Sequence, residues 1–523
     1  IEPFVLVMMQ NLFGRCLLLC LGFASFFERS VDAQETTAPT SVSYERDVVP
    51  IFREHCLGCH QPASQQGLYL MTDFQSLLQG GESGAAAVVA GHADQSHLIE
   101  QITPRDGKAE MPKAGPPLSQ SQIETIRQWI DAGAVDDSTP KHRYSAQNPP
   151  QYARPPVVTA IDYSPDGSMI AVSGFQEVLL LDATSYGLLK RFVGMSPRIE
   201  SIRFSHNGQW LAVAAGEPGV SGELQIWNLA DGTLKLSKSM TGDTLFGVNW
   251  SPDDSLVSFA CADNSVRCVR SENGEPVLFQ GAHNDWPRTT VFSVDGKHLL
   301  SAGRDMTVKL TEVATQRFID NVTSITPGAL RGGINSIARH PARDEILVAS
   351  SDGVPKIYRV FRQTARQIGD DANLIRRLPE MKGRVFDVAI SSDAQFIAAV
   401  STLDNASSVR VWKYETAENV PEEIKNIQAK RVFEQTPDEK QKLEAFVSVE
   451  PVEVAKFELA TAAYSIALSP RGVVAKLCVA WKTPYKTLRR SLPNSPSMRP
   501  KWSQSQLRLQ KSNLQTGWPI RSY

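Results

Sequence analysis

The run Ile161-Asp162-Tyr163-Ser164-Pro165-Asp166-Gly167 returns as Ile202-Arg203-Phe204-Ser205-His206-Asn207-Gly208 and as Val248-Asn249-Trp250-Ser251-Pro252-Asp253-Asp254. It returns again as Thr290-Val291-Phe292-Ser293-Val294-Asp295-Gly296, with weaker copies around His340-Pro341, Ser391-Ser392-Asp393 and Ser469-Pro470. The early spacings of about forty to fifty residues are the period of a four-stranded propeller blade. An alternating strand precedes each turn, and a second such as Trp210-Leu211-Ala212-Val213-Ala214 follows it. A third comes next, such as Leu224-Gln225-Ile226-Trp227 or Val409-Arg410-Val411-Trp412. One blade cannot bury both faces of its own sheet, so the pattern predicts blades stacked around an axis over residues 157–470. Six units read as complete and a seventh begins near Ala463. The wide gap between the sixth and seventh turns holds a charged insert, Glu422 to Glu444, expected as a surface excursion.

Ahead of the repeats stands Cys56-Leu57-Gly58-Cys59-His60. C-x-x-C-H is the attachment sequence of a c-type haem: two thiols at this spacing reach the two vinyl groups of one porphyrin, and the histidine binds the iron. The same residue types also suit half of a zinc site, or a redox dithiol. A closed zinc site needs four ligands, and no second C-x-x-C or H-x-x-x-H follows within the next hundred residues, leaving His92 and His97 as the histidines to recruit.

A haem iron takes a second axial group or keeps an open position. Met111 lies about fifty residues downstream, in the proline-stiffened loop Glu110-Met111-Pro112-Lys113-Ala114-Gly115-Pro116-Pro117. His/Met ligation raises the reduction potential and favours electron transfer. His92, His97 and Met71 are the competing ligands, although His97 follows Ser96 at a helix N-cap and reads as a first-turn surface residue. Around these residues the pattern is helical. Val48, Val49, Ile51 and Phe52 precede the cysteines, and Ser119 with Gln122 forms a capping box before Ile123, Ile126 and Ile130, until Gly133 ends that helix. Trp129 reads as core or pocket packing.

The ordered set Tyr44-Glu45-Arg46-Asp47, Cys56-Leu57-Gly58-Cys59-His60, Gly80-Gly81-Glu82-Ser83-Gly84, Glu110-Met111-Pro112 and Arg127-Gln128-Trp129-Ile130-Asp131-Ala132-Gly133-Ala134 resembles the planctomycete-type cytochrome c domain, over residues 44–137. Members of that family are exported and often joined to WD40 repeats. The resemblance implies one covalently attached haem c on Cys56 and Cys59, His60 as proximal ligand and Met111 as distal ligand. Residues 157–470 resemble WD40 repeats, with the Trp-Asp dipeptide degraded to Trp227-Asn228 and Trp412-Lys413. The expected architecture is multidomain: a small all-α cytochrome c-like domain at 44–137, a Pro-rich linker at 138–156, and an all-β WD40-type propeller of about seven blades, the last incomplete.

Residues 1–33 read as a secretory signal, with Arg15 before the apolar run Cys16 to Phe27 and a small-residue cleavage site at Val31-Asp32-Ala33; residues 34–43 are a linker. That run is too short to span a bilayer, so export to the periplasm or cell envelope without a stable membrane span is expected. From Arg471 to Tyr523 there are eleven Lys/Arg and no Asp/Glu, and the blade pattern stops. A basic tail is one reading; a departure from the native frame explains composition and lost repeat together. Nothing before residue 471 suggests nucleic-acid binding.

No phosphate-binding, nucleophile-elbow or H-E-x-x-H motif occurs in a believable context. His283, His298 and His340 lie in repeat turns or connections and read as structural. Cys261 and Cys268 flank a hairpin turn at Asp263-Asn264, with pairing and free thiols both open. The chain reads as an electron-transfer or binding protein rather than a catalyst, its propeller docking a redox partner protein or another protein partner. The alternatives are an interaction scaffold whose haem is a sensor or a vestige, and a haem-linked dehydrogenase with its active site on the propeller.

Overall fold

The structure, a computed structural model, describes residues 42–61, 64–113, 115–138, 144–152, 156–324, 332–365, 370–416 and 420–470, with the backbone of 477–481. It divides into two compact units, Ile1–Val42 and Ser43–Tyr523, and all the regular structure described lies in the second. The expected signal segment, and the tail apart from the 477–481 backbone, lie outside the described residues. Among the described residues no helix is long and apolar enough to cross a membrane.

Four helices build the N-terminal part: α1 (Val49–His55), entered through a single π turn (Tyr44–Val48), α2 (Phe74–Gln79), α3 (His97–Ile102) and α4 (Gln120–Asp131). The capping box starts α4 as its sequence predicts. Ser119 Oγ accepts from the Gln122 N–H at 3.2 Å and Gln122 Oε1 from the Ser119 N–H at 2.9 Å. Ile123, Ile126, Trp129 and Ile130 form its buried face, and Gly133, at φ 101°, lies just beyond its C-terminus. Trp129 is the centre of this core. Its ring stacks on Tyr44 at 5.1 Å and meets Phe52 and Phe74 edge-on, tying α1 and α2 to α4.

The rest is a propeller. Blade 1 comprises Ile161–Tyr163, Met169–Ser173, Phe175–Asp182 and the first half of Leu188–Phe204. That 17-residue strand then becomes the innermost strand of blade 2, completed by Trp210–Glu217, Ser221–Asn228 and Leu234–Thr241. Blade 3 begins at Leu245–Trp250, blade 4 at Pro287–Phe292, blade 5 at Ile334–Arg339 and blade 6 at Arg384–Ile390, each a four-stranded antiparallel meander. A seventh begins at Ala463–Leu468, and Leu477–Trp481 pairs with it antiparallel. The blade pattern thus continues one strand beyond Pro470, where the sequence reading ends it. The connecting Arg471-Gly472 lacks the Asp or Asn that marks the other turns.

Each recurring turn is held by its serine. The hydroxyls of Ser164, Ser251, Ser293 and Ser391 donate to the aspartate two residues on, at 2.6 to 2.7 Å, and Ser205 donates to Asn207 at 2.8 Å. Each hydroxyl also accepts the N–H five residues on, as Ser251 accepts from Leu256 at 2.9 Å, which closes the hairpin. In blade 5 the His340 imidazole replaces the serine, its Nδ1 accepting from the N–H groups of Ala342 and Arg343. His283 is likewise structural. It is buried between Asp305 at 3.0 Å and Ser301 at 2.7 Å. His298 packs edge-on against Phe361. Cys261 and Cys268 are free and buried, opposite Leu245 and Ser258 rather than each other. Burial pushes both thiols up to about 12.

The ring closes through side chains near the axis. Asp387 of blade 6 accepts from Ser336 Oγ of blade 5 at 2.6 Å, and from Ser465 Oγ and the Ile466 N–H of blade 7, both at 2.9 Å. Ser465 Oγ in turn accepts from the Ile161 N–H of blade 1 at 3.4 Å. The axis holds a channel of about 280 Å³ whose walls include Arg198, Glu200, Arg288 and Asp387.

The charged insert is folded and mostly exposed. It forms α5 (Glu422–Gln428) and α6 (Pro437–Val447), the latter started by a Thr436/Glu439 capping box. Val447 enters an apolar core shared with residues of blades 4 and 5, and Arg377 of blade 5 donates to both Glu444 oxygens at 2.6 and 2.7 Å.

Asp387→Ala should destabilise the propeller by at least about 3 kcal/mol in urea unfolding, since several buried donors lose their acceptor together; a loss below about 1 kcal/mol would remove it from ring closure. Hydrogen bonding, above all from Ser251, holds the Asp253 carboxyl below its ordinary range despite the opposing effect of burial. Stabilisation from a depressed carboxyl is present above the unfolded value of about 3.9 and is lost as pH falls through the folded one. Asp253→Asn should accordingly flatten the stability profile below about pH 4, and an unchanged slope would show that this turn contributes nothing to acid sensitivity.

Candidate functional site

The C-x-x-C-H segment is a tight turn at the end of α1. The N–H groups of Cys56 and Leu57 both donate to Phe52 O, at 2.8 and 2.9 Å, and those of Cys59 and His60 both donate to Cys56 O at 3.1 Å. The buried Gln61 side chain donates back to Leu57 O at 3.0 Å, and the Met71 N–H to His60 O at 3.0 Å. Cys56, Cys59 and His60 therefore share one turn of backbone.

The two thiols are not bridged. Burial pushes the Cys56 thiol up to about 12, with a smaller contribution from Cys59, and raises Cys59 as well. His60 is shifted the other way, burial lowering its pKa. Its Nδ1 lies 3.1 Å from Gln66 O and 3.3 Å from Tyr69 O. Both partners are carbonyl acceptors, so Nδ1 carries the proton and Nε2 keeps its lone pair. An imidazole oriented by a carbonyl at one nitrogen is the arrangement a metal-binding histidine needs at the other. These residues fit a c-type haem. Among the described residues no three His, Cys, Asp or Glu side chains converge as a metal-ion site.

Met111 is held elsewhere in the same helical part. Its N–H donates to Gln101 O of α3 at 2.9 Å, and its side chain is half-buried. Met71 is buried and lines a cleft described below. His92 is exposed, and His97 turns its Nδ1 to Glu100 at 3.3 Å in the first turn of α3. Ser96 precedes that helix without capping it; its hydroxyl accepts from the Val89 N–H and donates to His92 O.

Sequence reasoning does not reach what the turn rests on. A Cβ on Gly58 would stand 2.2 Å from the carbonyl oxygen of Ser237, so the turn packs directly on the outermost strand of blade 2, a contact only glycine permits. Beside it, between α1 and blades 1 and 2, lies a cleft of about 460 Å³. Leu57 and Gly58 line it, and among its polar walls are Arg53, Glu217 and Glu223. Burial lowers the Arg53 pKa, partly offset by Glu217, Glu223 and Glu45. Glu223 is buried and accepts from the Ser196 N–H and hydroxyl, Gln225 Nε2 and Ser237 Oγ. These residues come from distant segments with no shared spacing, so no pattern marks them.

Residues 56–115 match the planctomycete cytochrome C family, and residues 274–311 match the WD domain, G-beta repeat. The chain joins a planctomycete-type cytochrome c domain to WD40 repeats. Among curated proteins it is similar to the COMPASS component SWD3 of Saccharomyces cerevisiae, 26% identical over 168 residues, or 30% of this chain and 51% of that protein. It is 22% identical over 161 residues to the Periodic tryptophan protein 2 homolog of Caenorhabditis elegans, covering 31% of this chain and 18% of that protein. With the WD repeat-containing protein 91 homolog of Dictyostelium discoideum the identity is 30% over 112 residues, 21% of this chain and 14% of that protein. The chain thus spans about half the length of the first relative and less than a fifth of the other two. The matched WD repeat contains the buried His283, Ser301 and Asp305 network.

Gly58→Ala should destabilise the chain by about 1 to 3 kcal/mol, the usual cost of overpacking, and speed hydrogen exchange in both α1 and Leu234–Thr241. Unchanged exchange in the strand would show that the turn does not rest on the blade.

Proposed function

We propose that the chain is an exported c-type cytochrome whose one haem is attached covalently through Cys56 and Cys59, with His60 as proximal ligand and Met111 as distal ligand. The carrying observation is His60: its Nδ1 faces two backbone carbonyls, leaving Nε2 for iron beside two unbridged thiols. When bound, the haem supplies one-electron chemistry, with a potential raised by His/Met ligation. The chain's own residues orient the imidazole, hold the thiols in one turn and pack Phe52 and Trp129 behind α1.

Met111 is favoured as distal ligand because the competitors are otherwise engaged. Met71 lies at the cleft beside Leu57 and Gly58, His97 pairs with Glu100 and His92 is at the surface. A thioether in a loop tied to α3 by its own backbone has little core to fill. Export follows from the signal-like N-terminal sequence and from thioether attachment taking place outside the bacterial cytoplasm. The WD40 propeller is read as a platform for a redox partner protein, since this chain matches a WD repeat, one similar protein is a WD repeat-containing protein and such surfaces serve protein contact.

Protein made in a host able to attach haem should give a c-type haemochrome spectrum and the mass of one covalent haem, both lost in the Cys56→Ala/Cys59→Ala double variant. Colourless protein, or zinc at the site, would end this reading. Met111→Ala should lower the reduction potential and let the reduced protein bind carbon monoxide; an unchanged spectrum and potential would remove Met111 from the iron.

A further inference from the structure

The cleft between α1 and the first two blades has the volume of a small-molecule site, about 460 Å³. Its walls are mostly apolar, with the aromatic side chains of Tyr44, Phe52 and Phe175 and the thioethers of Met71 and Met195. Glu223 is already engaged by serine and glutamine donors. Arg53 is not. Among the described residues its guanidinium makes no hydrogen bond or ion pair, although Glu217, Glu223 and Glu45 are its charged neighbours.

This composition selects a ligand chemistry. An anionic ligand would meet three carboxylates, and an ammonium would leave Arg53 unmatched and repel it. An aromatic hydroxyl accepts from a guanidinium and donates to a carboxylate at once, while its ring suits an apolar, aromatic and thioether wall. We propose that the cleft binds a neutral dihydroxy-aromatic molecule, its hydroxyls bridging Arg53 and Glu217 and its ring lying between Phe175 and Met71. Leu57 and Gly58 bring the C-x-x-C-H turn to the same space. Binding is independent of the cytochrome reading.

The test is calorimetric titration of the purified full chain with benzene-1,4-diol and with 1,4-dimethoxybenzene, which keeps the ring and loses both donors. The diol should bind saturably and the ether at least about tenfold more weakly, as expected for losing a hydrogen bond to a charged group. Glu217→Gln should weaken the diol while leaving the ether unchanged, and Ser239→Trp, which fills the cleft from the outer strand of blade 2, should abolish both. Absence of saturable diol binding, equal binding of diol and ether, or undiminished binding in Ser239→Trp would each overturn the proposal. The comparison of diol with ether needs no variant, so a misfolded variant does not blunt it. A covalent haem adduct without diol binding overturns the cleft proposal and leaves the cytochrome reading standing; diol binding without an adduct does the reverse.

Discussion

Each blade of this propeller is a sheet with two apolar faces, so no blade is stable until it lies between two others. The burial pattern follows from that: in Trp210–Glu217 and Ser221–Asn228 every residue between the ends is buried, with none of the in-out alternation of a sheet facing water. Polar groups that reach the axis are consequently placed to join blades. Asp387 collects donors from blades 5 and 7, Ser201 Oγ accepts from the Val248 N–H of blade 3, and Thr290 donates to Gly247 O across the next boundary. Lost singly, each such bond leaves a buried partner unsatisfied, a larger penalty than the net worth of the bond itself.

The repeating turn makes those sheets possible at modest sequence cost. A buried serine hydroxyl donates to an aspartate and accepts a backbone N–H, so one residue satisfies both ends of a tight hairpin. Blade 5 reaches the same closure with His340, whose ring packs on Tyr414 at 4.9 Å and whose Nδ1 takes the accepting role. The requirement is an acceptor at that place, and its chemical identity is free to drift. Trp412 shows the same latitude: although the Trp-Asp dipeptide is lost there, the ring is fully buried in the core of blades 5 and 6.

Local chemistry was legible in the sequence, and contacts between distant segments were not. The serine turns, the α4 capping box, the start of the seventh blade near Ala463 and the C-x-x-C-H turn all depend on residues a few positions apart, which leave a spacing to be read. The insert Glu422 to Glu444 lies mostly at the surface, as its charges suggest, but its anchoring was not legible: Ile424 and Ile427 are buried within it, and Val447 just beyond meets blades 4 and 5 only in three dimensions. The strand Leu477–Trp481 was missed because the sequence just after Pro470 lacks the Asp or Asn found at that place in most other repeats. Gly58 occupies a variable position of its motif, and nothing around it in the chain announces Ser237 as its neighbour.

That last contact makes the C-x-x-C-H turn and the cleft one physical system. Ser237 offers its carbonyl to the close approach of Gly58 and donates its hydroxyl to Glu223. Glu223 also holds the N–H and hydroxyl of Ser196, at the point where the long strand Leu188–Phe204 passes from blade 1 to blade 2. A shift of the turn by even a few tenths of an ångström therefore meets backbone, a buried carboxylate and a strand shared by two blades in succession. Close-packed groups of this kind do not deform gradually. The helical part and the propeller are thereby held in register at the segment whose chemistry matters most, which a flexible tether alone would not achieve.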